Sequence, residues 1–197
     1  LKENKVSFDF PEGYDSKIDL IIDPVIVFSS YVNSTSDNFG FAATYDTNEC
    51  SYVAGIVLGA GYPTSIGAYD VTWAGGSTFP FYVDISISKF TAEGDSLLYS
   101  TYLGGTDGEV PHSMVTNDQG ELYVYGTTGS SNFPMLASSY DNSFNGGSLV
   151  TPNSKSTSFS NGTDIFLVKF NATGTALLGS TFIGGTANDG INTVLGL

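Results

Sequence analysis

From Asp84 to Phe90 the chain alternates Ile85, Ile87 and Lys89 with Ser86, Ser88 and Phe90, a period of two that predicts a β-strand. The pattern returns from Asp164 to Phe170 with apolar residues on both faces, which predicts a strand buried between layers. Each run is followed by a Gly-containing turn, at 91–95 or 171–175, and by a second strand, at 97–103 or 176–183. These are hairpins in which glycine supplies the positive φ. A third strand is predicted at 110–116 and, after the turn 117–120, a fourth at 121–127. Their upstream equivalents are 39–45 and 51–58. No segment carries a capped helical stripe, so the prediction is all-β.

The strands belong to an internal repeat. Tyr31 aligns with Tyr102, residues 52–55 with 123–126, Tyr62-Pro63 with Phe133-Pro134, Tyr69-Asp70 with Tyr140-Asp141, and Gly75-Gly76 with Gly146-Gly147, all at an offset of 71 (102 − 31). Residues 84–90 then align with 164–170 and 100–106 with 180–186, at an offset of 80 (164 − 84). The difference places nine extra residues between Gly147 and Asp164, where the polar stretch 148–163 reads as a loop. Four short antiparallel strands per repeat suit a propeller blade better than a solenoid coil. This reading divides the chain into 1–24, the end of a preceding β domain with strands at 6–10 and 18–22, and 25–197, an incomplete propeller. Within it, 25–32 is the closing strand of one blade, 33–103 and 104–184 are whole blades, and 185–197 starts another, with the polypeptide expected to continue.

Leu98-Tyr99-Ser100-Thr101-Tyr102-Leu103-Gly104-Gly105, the run 120–128, Asn132-Phe133-Pro134 and the run 164–171 together resemble the SBBP β-propeller repeat over residues 26 to 197. The run 37–46 with Gly61-Tyr62-Pro63-Thr64 is similar to versions in large secreted and cell-surface proteins of Bacteroidetes, which often carry gliding-motility or type IX secretion sorting domains. The first copy departs from the pattern in having Asn33-Ser34 where later copies have Gly-Gly. The resemblance implies an extracellular or cell-surface location and transient contact with type IX export machinery. It assigns no catalytic residue.

Charge narrows the classes further. Six lysines, no arginine and twenty Asp and Glu give a net charge of −14, which argues against a nucleic-acid partner. A mean hydropathy of +0.05 with 14% aromatic residues describes a chain able to bury a core. No apolar run reaches the length of a membrane helix, and Leu1-Lys2-Glu3-Asn4-Lys5 leads into no signal-peptide core. Cys50 is the only thiol, so neither an internal disulfide nor a Cys-rich metal site can form. His112 is the only imidazole, and no Gly-x-Ser-x-Gly elbow accompanies it.

The residues favour a non-catalytic structural or adhesive module that binds glycan or surface protein. Tyr62, Phe79 and Phe133 are the candidate ligand contacts, with Phe81, Tyr82 and Phe144 in the same long connections, although such rings more often pack blade on blade. The alternative is a carbohydrate-active enzyme using loop carboxylates such as Asp107 and Glu109, or a calcium-binding module in which Asp37, Asp107, Glu109 and Asp189 supply oxygen ligands. Recurrence of the Glu109 position at Asp189, one repeat on, suits a repeated structural role better than a unique catalytic pair. Asn33, Asn161 and Asn171 head N-x-[ST] triplets, and Asp95-Ser96-Leu97 resembles a short Bacteroidetes O-glycosylation signal at Ser96.

Overall fold

The computed structural model describes residues 11, 13–15, 17, 28–32, 34–75, 82–153 and 157–190. The strands expected at 6–10 and 18–22, most of 1–24, and the run 191–197 lie outside them. So does the start of the expected closing strand, of which residues 28–32 are irregular chain.

All regular structure among the described residues is β. The first sheet is a meander of β1 (Asn38–Tyr45), β2 (Ser51–Val57), β3 (Asp84–Phe90) and β4 (Leu97–Leu103), every pair antiparallel. β5 (Glu109–Thr116), β6 (Leu122–Thr128), β9 (Asp164–Phe170) and β10 (Leu177–Ile183) make the second in the same order. Both sheets are open. Strand ends fall within two residues of expectation, and the connection 148–163 is more than a loop: it holds the hairpin β7 (Val150–Asn153) and β8 (Thr157–Phe159). Phe159 of that hairpin packs with Ile56, Val83 and Val110, which ties the insertion to the seam between the sheets.

Irregularities recur with the strands. The β1–β2 register shifts between Gly40 and Ala42 and the β5–β6 register between Pro111 and Ser113, leaving Phe41 and His112 as the extra residues at equivalent repeat positions. In the outer hairpins Leu98 and Leu178 are the extra residues, again one repeat apart. Gly94 and Gly174 close the turns before them at φ of 67° and 66°, where a side chain would be strained.

The sheets pack face to face. Tyr52, Ala54, Ile85, Ile87, Tyr99 and Leu103 of the first meet Leu122, Val124, Phe166, Val168, Phe170 and Phe182 of the second in one apolar core. β5 lies against β1, β2 and β3. One expectation is thereby reversed. β3 is buried along its whole length, because the second sheet covers Ile85 and Ile87 while Tyr62 covers the serine face and bonds Ser88. β9, the more apolar copy, keeps Leu167 exposed because nothing among the described residues lies over it.

Candidate functional site

The carboxylates singled out by sequence do not converge. Asp37 is exposed, and its carbonyl accepts the Leu58 N–H at 3.0 Å. Asp107 is 5% exposed; its Oδ1 accepts the Gly108 N–H at 2.8 Å and its Oδ2 the Ser160 N–H at 2.9 Å. Burial pushes its carboxyl above the usual range against those bonds. Asp189, half-buried, accepts the Gly185 N–H at 2.7 Å. Among the described residues, no group of three or more His, Cys, Asp or Glu side chains is arranged to hold a metal ion. Asp107, Glu109 and Asp189 are separate carboxylates, each engaged with nearby backbone amides or hydroxyls.

Glu109 meets another acid. It opens β5 with 0% exposure, accepting the Thr128 hydroxyl at 2.6 Å on Oε1 and the Gly105 N–H at 3.0 Å on Oε2. Across the seam Asp84 opens β3, 1% exposed, with Oδ2 accepting the Ala74 N–H at 2.7 Å and Oδ1 without a hydrogen-bond partner among the described residues. Gly104 separates them: a Cβ there would fall 2.6 Å from Asp84 Oδ1 and 2.7 Å from Glu109 Oε2. Burial, together with the opposing acid, pushes Glu109 up to about 8. Burial pushes Asp84 up to about 7 against the Ala74 and Gly75 amides. Two enclosed carboxyls without a cation cannot both ionise cheaply.

A weaker version lies one repeat on. Asn145 N–H donates to Asp164 Oδ2 at 2.7 Å as Ala74 does to Asp84, and Gly184 lies against Asp164 as Gly104 does against Asp84. Burial raises the Asp164 carboxyl, and Asp189 adds to the rise. Asp84 and Asp164 were legible in the sequence only as acids at the head of equivalent strands.

Two of the aromatic candidates, Tyr62 and Phe133, are buried. They are 6% and 3% exposed and pack on other rings, Tyr62 against Tyr102 at 6.0 Å between ring centroids and Phe133 stacked on Phe166 at 4.5 Å. Phe79 and Phe81 lie outside the described residues. Tyr82 shares a 2.7 Å hydrogen bond with Ser160, and Phe144 packs on Phe182. His112 is half-buried, with Nε2 2.8 Å from Thr127 Oγ1, and burial lowers its pKa. Thr127 Oγ1 in turn donates to the Gly190 carbonyl at 2.7 Å, which leaves the hydroxyl oxygen to accept from His112 Nε2–H at the β5–β6 bulge. Cys50 is a partly buried free thiol. Ser96 is exposed in the β3–β4 turn and Asn161 is exposed beside β8, whereas the Asn171 side chain is engaged with Thr175. Asn33 lies outside the described residues.

Sequence reasoning missed a second polar contact at the other end of the seam. Lys89 Nζ lies 2.9 Å from Asp46 Oδ2, and the Tyr52 hydroxyl donates to the same oxygen at 2.9 Å. Tyr52 also reaches the Gly120 carbonyl, 3.2 Å away in the second sheet. Compared with protein-family models and with curated proteins, the chain matches none.

Proposed function

We propose that the chain is a run of blades from an SBBP-type β-propeller, acting as a non-catalytic structural or adhesive module of a large secreted or cell-surface protein exported by a type IX secretion system. The observation that carries the reading is the stacking of two like meanders, bulged at matching positions, with Asp107 and Glu109 enclosed between them. An enzyme acting on a polymer needs carboxyls that reach the substrate, and Glu109 at 0% exposure and Asp107 at 5% do not reach solvent. The Phe28 ring lies against Gly94 as the Tyr99 ring of β4 lies against Gly174, which supports reading 28–32, irregular though it is, as the closing segment of a neighbouring blade. Export and surface location rest on the resemblance of the repeat.

The test is a binding and turnover screen of the folded protein against surface glycans and host or bacterial surface proteins. Saturable binding with the ligand recovered intact is expected. Catalysed turnover that disappears in both Asp107→Asn and Glu109→Gln would overturn the non-catalytic reading.

A further inference from the structure

The seam leaves one acid short of partners. A carboxylate accepts hydrogen bonds at about four sites. The Thr128 hydroxyl, the Gly105 N–H and the Ser130 hydroxyl bond Glu109, whereas Asp84 has the Ala74 and Gly75 amides at 2.7 and 3.4 Å, both on Oδ2. Asp84 Oδ1, on a residue 1% exposed, has no hydrogen-bond partner among the described residues. It is aimed at Glu109. Asp84 Oδ1 and Glu109 Oε2 both lie within 2.7 Å of the place a Cβ on Gly104 would take. Two oxygens that near one point can both touch a single calcium ion, whose ligands stand about 2.3–2.6 Å away. Glycine at 104 keeps the space between them open. The ion pairs among the described residues use Asp46 and Glu121, so no ammonium neutralises the seam acids, and Asp70 adds negative charge near Asp84.

The equivalent place one repeat on is closed. Asp164 engages both oxygens, Oδ2 with the Asn145 N–H at 2.7 Å and Oδ1 with the Gly146 N–H at 3.1 Å. Asp189 stands there in place of Glu109, one methylene shorter, and its Oδ2 takes the Gly185 N–H. The three atoms nearest a Cβ on Gly184 all belong to Asp164. The unpartnered oxygen and the longer acid therefore occur together, at the first seam.

We propose that Asp84 Oδ1 and Glu109 Oε2 bind one calcium ion, which ties the first sheet to the second beside Gly104. The donors are oxygen alone, since the only imidazole bonds Thr127 and the only thiol lies in the turn beside Asp46. That selects a hard cation over zinc or copper. Two carboxylates match the charge of one divalent ion, and calcium completes its shell with backbone carbonyls and water. Magnesium, which keeps several waters in a strict octahedron, suits an enclosed seam less well. Asp107 and Asp189 stay outside this site, held by their own amides. The site needs only the contact of the two sheets, so it stands apart from the propeller and adhesion readings.

Chelated protein is titrated with calcium chloride and, separately, with magnesium chloride, at pH 8.5 because a carboxyl must lose its proton to take a metal. Equilibrium dialysis is expected to find one tightly bound calcium per chain. At about ten times its Kd, calcium should raise Tm by about 3–6 °C over the chelated protein, as ligand linkage requires. Glu109→Gln and Asp84→Asn should each lose the ion and the rise, while Asp164→Asn keeps both. In the unsubstituted protein, calcium should slow hydrogen exchange in residues 104–109 at least about tenfold and leave 184–189 unchanged, a test that holds where a variant fails to fold. An equal rise with magnesium would reduce the effect to screening of the net charge of −14 and overturn the proposal. So would calcium retained by both seam variants, or chelated protein that melts and exchanges as the calcium-loaded protein does.

Discussion

Asp84 Oδ1 and Glu109 Oε2, one from each sheet, flank the place a Cβ on Gly104 would take, and Asp84 Oδ1 has no hydrogen-bond partner among the described residues. Both carboxyls are raised in the folded state, to about 7 and about 8. A group raised on folding contributes stability that is complete below its unfolded value near pH 4 and is lost as pH rises from there through the folded value. Stability is therefore expected to fall between about pH 5 and pH 8, by up to about 1.4 kcal/mol per pH unit for each carboxyl still protonated, and then to level off. Urea midpoints at pH 5, 6.5 and 8 measure the loss. Glu109→Gln, which retains an acceptor for Thr128, should flatten this limb; an unchanged limb would show that the pair does not hold the proton.

Gly104 leaves no room for a side chain between those oxygens. Gly104→Ala should cost about 1–3 kcal/mol, because a methyl wedged at 2.6 Å from Asp84 Oδ1 must push the sheets apart. Gly40 of β1 has nothing within 4 Å of its would-be Cβ, so Gly40→Ala is expected to stay within about 0.5 kcal/mol. Equal midpoints for the two variants in urea would remove the seam argument.

The strands were legible because period-two alternation and turn glycines act locally. β3 and β9 announce themselves without reference to anything else in the chain. What covers them did not follow, since burial depends on the neighbouring sheet: the serine-bearing β3 is enclosed, and the apolar Leu167 of β9 is not. The hairpin β7–β8 was hidden in a Ser- and Thr-rich stretch with no alternation, and only the contact of Phe159 with Val83 and Val110 reveals its place. Glu109 was picked out as an acid near glycines. Its partner Asp84 was not, because a single Asp heading an apolar run gives no signal until the fold sets it opposite a second acid.

Asp46 and Lys89 should govern the acid limb. Burial opposes the Asp46 charge, yet the Lys89 ammonium, the Tyr52 hydroxyl and the Cys50 amide together hold the carboxyl below the usual range. A lowered group contributes stability above its unfolded value and loses it as pH falls through the folded value, so this contribution disappears below about pH 4. Asp46→Ala would leave Lys89, whose side chain is 11% exposed, without its partner, at a cost of about 3 kcal/mol. Asp46→Asn should cost less, since Asn117, its counterpart one repeat on, makes the same turn bonds to the backbone. Calorimetry from pH 3 to pH 7 checks both, and an Asp46→Ala melting temperature equal to the parent's at pH 7 would contradict the assignment.

Glu49 is the only non-glycine residue with positive φ among the described residues, at 61°. Its N–H donates to the Asp46 carbonyl at 2.9 Å, as Gly120 at φ 72° donates to Asn117 at 2.9 Å, so the two turns are alike and only the second has the residue that the conformation favours. A left-handed conformation costs a side-chain-bearing residue about 1–2 kcal/mol, part of which glycine gives back through its freer unfolded chain. Glu49→Gly should therefore stabilise the protein by about 0.5–1 kcal/mol, a rise of about 1–4 °C in Tm. The reciprocal Gly120→Ala should lose about 1 kcal/mol through backbone strain alone, since the nearest atom to its Cβ would be 3.7 Å away. Thermal melts of the two variants should thus move in opposite directions, and a Glu49→Gly protein that melts lower than the parent would mean that the Glu49 side chain contributes more than its backbone strain costs.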